Sequence, residues 1–119
     1  MTEFYDDLET RNPEEREEKL LSALPMQVAL AKNTNGYSKI FSDIDPKTVN
    51  SRDALATLPI TRKAELMNLQ SPDAPFGGLN YTPLDRLARV YLSPGPVAEP
   101  QGRNTDFWRI RKLIPVHSQ

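Results

Sequence analysis

The chain has no cysteine and a single histidine, His117. Without a thiol it can build neither a disulfide framework, nor a cysteine-ligated zinc or iron–sulfur site, nor a cysteine nucleophile. One imidazole cannot assemble a histidine-rich metal site. Long apolar runs are missing as well: no stretch approaches the roughly 18 residues that span a bilayer, and the acidic N-terminus lacks the basic-then-apolar order of a secretory signal. The expectation is a cytoplasmic protein with no membrane partner. Glycine is scarce at five residues, whereas proline reaches eleven in 119. That is about 9% against a usual ~5%, so short elements broken by turns are expected within at most one small domain.

Charge of one sign is nearly balanced, at a formal -1. The balance hides an uneven distribution. Residues 1–18 hold eight acidic and two basic side chains, leaving eight acidic and thirteen basic for the remainder. The basic residues are scattered and do not interleave with aromatics as nucleic-acid platforms do, so no nucleic-acid partner is expected.

Helix signals dominate the first seventy residues. Asn12-Pro13-Glu14-Glu15 supplies a capping amide, a proline at the first helical position and early acids. Leu20, Leu21, Leu24, Val28 and Ala31 then recur at three-to-four-residue spacing, with Glu14, Glu17, Glu18 and Lys32 left to solvent. Pro25 removes a backbone donor inside this stripe, which predicts a kink or a break near Leu24, and residues 33–36 read as the stop. Tyr37, Ile40 and Phe41 predict one or two further turns. Ser51 caps a brief helix through residue 58, and Thr61 caps another from 62 to about 69 with Leu66 and Leu69 buried.

From residue 71 the character changes. Pro72, Pro75, Gly77, Gly78 and Pro83 permit only loops and short extended pieces. Residues 87–92 form the best strand, stopped by Ser93-Pro94-Gly95-Pro96, and 97–99 run back beside it. Asn104 caps a last helix over about 104–113 carrying Phe107, Trp108, Ile110 and Leu113. The fold class is α+β, one unit over 1–119: a helical part at 13–69, a loop and hairpin at 71–102, and the last helix.

These segments carry a resemblance. Tyr5 with Leu8-Glu9-Thr10-Arg11 and Arg16-Glu17, Leu58-Pro59-Ile60-Thr61-Arg62-Lys63 with Leu66, Pro75-Phe76-Gly77-Gly78-Leu79, and Arg89-Val90-Tyr91-Leu92-Ser93-Pro94-Gly95-Pro96 follow one another as in the N-terminal part of the phenylacetate–coenzyme A ligase family. Together they make the chain similar to that branch of the adenylate-forming enzymes. The resemblance implies a piece of a larger α/β adenylate-forming domain and, for a complete parent, a two-step ligation. A carboxylate attacks ATP to give an acyl-adenylate and pyrophosphate, and the coenzyme A thiol then displaces AMP. ATP, Mg2+, coenzyme A and a carboxylic acid are therefore implied by the family.

The family's phosphate loop corresponds to 93–102, and the resemblance makes Ser93, Gly95 and Gly102 the candidate nucleotide contacts. The loop departs from the pattern. Residues 93–100 keep one hydroxyl, hold three prolines that each lack an N–H, lack a lysine and carry Glu99. Read on its residues alone, it is a proline-rich hairpin turn. Lys63 reads as a solvated charge beside a helix cap, the pairs Asp6-Asp7 and Glu14-Glu15 as solvated acids, Phe107 and Trp108 as core, and Arg109, Arg111 and Lys112 as complements to a helix dipole.

After Trp108 agreement with the family fades. The remaining catalytic machinery is expected to lie beyond residue 119, making this a truncated segment with no catalytic residue and no metal site of its own. The alternative is a non-enzymatic interaction module, whose apolar helical faces over 13–69 dock on a ligase chain or another protein.

Overall fold

The computed structural model describes residues 4 and 6–105. Helix α1, Pro13–Lys32, begins as its sequence dictates: the Asn12 side chain accepts from the Glu14 N–H at 2.8 Å, and Pro13 sits where no intrahelical donor is needed. Of the kink or break expected near Leu24, the break does not occur, and α1 runs on through Pro25. A proline there deprives only the Leu21 carbonyl of its donor, while hydrogen-bonded turns on both sides and the burial of Val28, 5% exposed, keep the helix in one piece. The apolar stripe holds at Leu21, Leu24, Val28 and Ala31, whereas Leu20 stands in solvent.

Helix α1 stops at residues 33–34, within the expected stop, and a new helix starts at once. Thr34 donates its hydroxyl to the Ala31 carbonyl at 2.8 Å and accepts from the Tyr37 N–H at 3.2 Å, ending one helix and starting the next, α2, Asn35–Ile40. Gly36, read from sequence as part of a stop, lies inside α2. Its N–H donates to the Gly78 carbonyl at 2.8 Å, and a Cβ there would meet the Gly77 carbonyl oxygen at 2.9 Å. Nor is Lys32 left to solvent: its ammonium donates to the Ser42 and Ile44 carbonyls at 3.2 and 2.7 Å, closing the chain after α2 against α1. A single 3-10 turn, Pro46–Thr48, then delivers Val49 to Val28 and Phe41, forming the first core cluster, with Tyr37, Ile44 and Leu58 packed around it.

Ser51 caps α3, Arg52–Ala56, through the Ala54 N–H, and the helix ends before residue 58. Helix α4, Lys63–Gln70, is capped one residue later than expected, at Arg62, because the Glu65 carboxylate reaches back to the Arg62 N–H at 3.1 Å. Leu66 is half-buried, but Leu69, expected in the core, is 36% exposed.

After α4 the segment Phe76-Gly77-Gly78 threads between the end of α4 and the start of α2. It plants Phe76, 3% exposed, in a second cluster with Leu87 and Ala98. The strands are β1, Arg89–Leu92, and β2, Ala98–Gln101, antiparallel with Leu92 opposite Ala98 and Arg89 opposite Gln101. Leu87 closes the 3-10 turn Leu84–Arg86 and lies before the strand. Among the described residues the architecture is helices plus a two-stranded sheet, α+β as expected. Phe107, Trp108 and all but the first residues of the expected last helix lie outside the described residues, and no described helix is long and apolar enough to cross a membrane.

Candidate functional site

The turn joining β1 to β2 is closed by one acceptor. The Ser93 N–H and the Ser93 hydroxyl both donate to the Val97 carbonyl, at 3.0 and 3.3 Å. Pro94 and Pro96 have no N–H, so Gly95, exposed and at φ 93°, keeps the N–H available to an outside acceptor. Lys63, at the first position of α4, donates its ammonium to the Pro94 carbonyl at 3.2 Å, putting a cation directly on the turn. Lys63 is the exposed charge beside the helix cap read from sequence, and it also bridges helix and hairpin.

Ser93 and Gly95 share this turn; Gly102 does not. It follows β2 at the far end of the hairpin, roughly 13 Å along the strand from Ala98. There it borders a cavity of about 320 Å³ with Leu30, Thr34, Tyr37, Tyr81 and Leu87. The donors at the turn do not by themselves fit a triphosphate: the hydroxyl is spent internally, two positions lack an N–H, and Glu99 stands exposed two residues beyond Val97. Among the described residues no three His, Asp or Glu side chains are grouped to hold a metal ion.

One polar residue of this region was not legible in the sequence. The Gln70 side-chain amide, at the last turn of α4, lies along the outer edge of β2, donating to the Ala98 carbonyl at 3.0 Å and accepting from the Ala98 N–H at 2.8 Å. It acts as a one-residue third strand. Because Ala98 faces outward, Pro100, two residues on, does too, and its missing N–H costs the ladder nothing.

Charge is organised away from the hairpin. The Arg52 guanidinium grips the Glu17 carboxylate through Nε and, at 2.6 Å, through Nη2, tying α3 to α1. This hydrogen bonding holds the Glu17 carboxyl below the usual carboxylate range. A carboxyl whose pKa is lower folded than unfolded stabilises the fold above the unfolded value and loses that contribution as pH falls through the folded one. Arg52→Ala therefore lowers the melting temperature at pH 7 in low salt by a small margin that vanishes in 1 M salt or at pH 3, since the pair is exposed. A difference that persists under both conditions would remove the ion pair from the account. Glu15 is similarly held below its usual range by Lys19, at 2.7 Å, and neither acid adjoins the hairpin turn in sequence or bonding.

No protein-family model matches the chain. No curated protein matches it either. Solved structures do share its fold: the chain superposes on 2-hydroxyisobutyryl-CoA ligase in the postadenylation state in complex with 2-HIB-AMP, with a TM-score of 0.69 and 23% identity over 76% of this chain. The same ligase in complex with R3-HIB-AMP gives a TM-score of 0.70 and 22% identity over 79%. The chain spans about a fifth of that ligase's length, 20% and 21% in the two structures. The chain thus shares its α+β fold with part of that ligase.

Proposed function

We propose that this chain is a segment of an adenylate-forming acid–thiol ligase of the phenylacetate–coenzyme A ligase branch, and that these 119 residues alone turn over no substrate. The observation that carries the reading is the fold shared with an acyl-CoA ligase over about three quarters of the chain. It is supported by the ordered motifs at residues 5–17, 58–66, 75–79 and 89–96. In a complete ligase, ATP, Mg2+, a carboxylic acid and coenzyme A supply the reacting groups. What this chain contributes is the hairpin turn, with Ser93 and Gly95 toward the nucleotide phosphates, the Lys63 cation beside them, and Gly102 at the separate cavity.

Inactivity follows from positioning. Adenylyl transfer needs phosphate charge neutralised and two substrates held in line by groups from several elements. Here the turn offers few donors, and a fifth of a ligase cannot enclose both substrates. The purified chain, incubated with ATP, Mg2+, labelled pyrophosphate and phenylacetate or a related acid, is expected to show no exchange of label into ATP above the protein-free blank. Acid-dependent exchange that scales with protein concentration would overturn the inactivity.

A further inference from the structure

Among the described residues only β2 pairs with β1, and the chemistry of the other edge specifies what can pair with it. The Ser93 N–H points toward β2, to the Val97 carbonyl. By alternation the backbone groups of Tyr91 and Arg89 also point inward, and those of Val90 and Leu92 point away from β2. The Ala88 N–H donates to the Gln101 carbonyl at 2.8 Å, so Ala88 and Arg89 both face Gln101 across a bulge and Ala88 offers no outward donor. Pro94 has no N–H at all. Val90 and Leu92 are therefore the outward ladder residues of β1.

Their side chains share one face of the hairpin with Ala98. The core of Phe76, Leu87 and Ala98 underlies β2, yet Val90 is 41% and Leu92 72% exposed. The β2 edge is closed by Gln70 and Pro100, and the sheet has two strands among the described residues, a size that is marginal by itself. We infer that a second copy of this chain pairs antiparallel along β1, making a continuous four-stranded sheet about a twofold axis at Tyr91.

Only that twofold register uses both open residues. Centred on Tyr91, it sets Val90 of each copy opposite Leu92 of the other in hydrogen-bonded pairs. Tyr91 then faces Tyr91 in a non-hydrogen-bonded pair, and Arg89 faces Ser93. No like charges meet, and the apolar side chains Val90 and Leu92 of both copies fall on one face, with Tyr91 on the other. Centring on Val90 would need Ala88 as an outward partner, whose N–H is taken. Centring on Leu92 would set Val90 opposite Pro94, which has none to give. The sheet is thus self-complementary in backbone, apolar face and charge, which is what an isologous interface requires.

The pairing is independent of the ligase reading. Sedimentation of the full chain is expected to show a concentration-dependent species of twice the 13.5 kDa monomer mass. Because the chain has no cysteine, Tyr91→Cys introduces its only thiol. Cross-strand Cα atoms of a non-hydrogen-bonded pair stand about 4.5 Å apart, within disulfide reach, whereas Leu92 and its counterpart would be roughly 8–9 Å apart. Under mild oxidation Tyr91→Cys should form covalent dimer about tenfold faster than Leu92→Cys. A wild-type chain that stays monomeric at all concentrations, or equal cross-linking by the two variants, overturns the proposal.

Discussion

Gly77→Ala should destabilise the chain by about 3 kcal/mol or more. Gly77 sits at φ 65°, a left-handed conformation that costs an L side chain roughly 1–2 kcal/mol. Its added Cβ would also lie 2.8 Å from the Leu69 carbonyl oxygen and 2.9 Å from the Leu69 carbonyl carbon. These are backbone atoms at the end of α4, which cannot swing aside as a side chain would. The segment must shift, and with it Phe76, which anchors the second core cluster. A loss of that size lowers the melting temperature by about 10 °C or more in a chain this small. Gly95→Ala is the control. It carries φ 93° but meets nothing within 4 Å, so only the conformational cost of about 1 kcal/mol applies. Thermal melts followed by circular dichroism separate the two; equal shifts would mean that the close approach to Leu69 has no weight.

Gln70→Ala has the next largest effect, about 2–3 kcal/mol. Ala98 is 7% exposed, and the substitution removes the partner of both its N–H and its carbonyl at once. A buried donor or acceptor left without a partner costs about 1–3 kcal/mol. Gln70→Glu should fall between wild type and alanine, since a carboxylate still accepts from the Ala98 N–H but opposes the Ala98 carbonyl. Amide hydrogen exchange at Ala98 reads this directly. Protection should drop sharply in Gln70→Ala, while amides of α1 around Val28, in the other cluster, change little. Unchanged protection at Ala98 would show that the strand does not need its amide partner.

Sequence carried the elements whose cause is local. Asn12 with Pro13, Ser51 as a cap and the proline-bounded hairpin each act within a few residues, and each appears in the structure. Pro25 does not split α1 because the hydrogen bond it removes is set against the cooperative length of a helix anchored at Val28. Thr61 lost the cap to Arg62 through a carboxylate three residues on, and Leu69 faces out because α4 is held to the hairpin by its polar ends, Lys63 and Gln70. Those two contacts span 31 and 28 residues, a separation that no local pattern encodes. The candidate site was legible in the same uneven way. Ser93 and Gly95 do share a turn, but the sequence could not show that the Ser93 hydroxyl is already committed to Val97, nor that Gly102 lies at the other end of the hairpin.

The central claim is that these residues have the fold of one part of an acyl-CoA ligase and make no product alone. The direct measurement is thioester formation: purified chain with ATP, Mg2+, coenzyme A and a panel of aromatic and aliphatic acids, assayed for acyl-CoA by mass spectrometry. The account predicts none above the protein-free background for every acid. Acyl-CoA accumulating in proportion to the chain and dependent on ATP would contradict it.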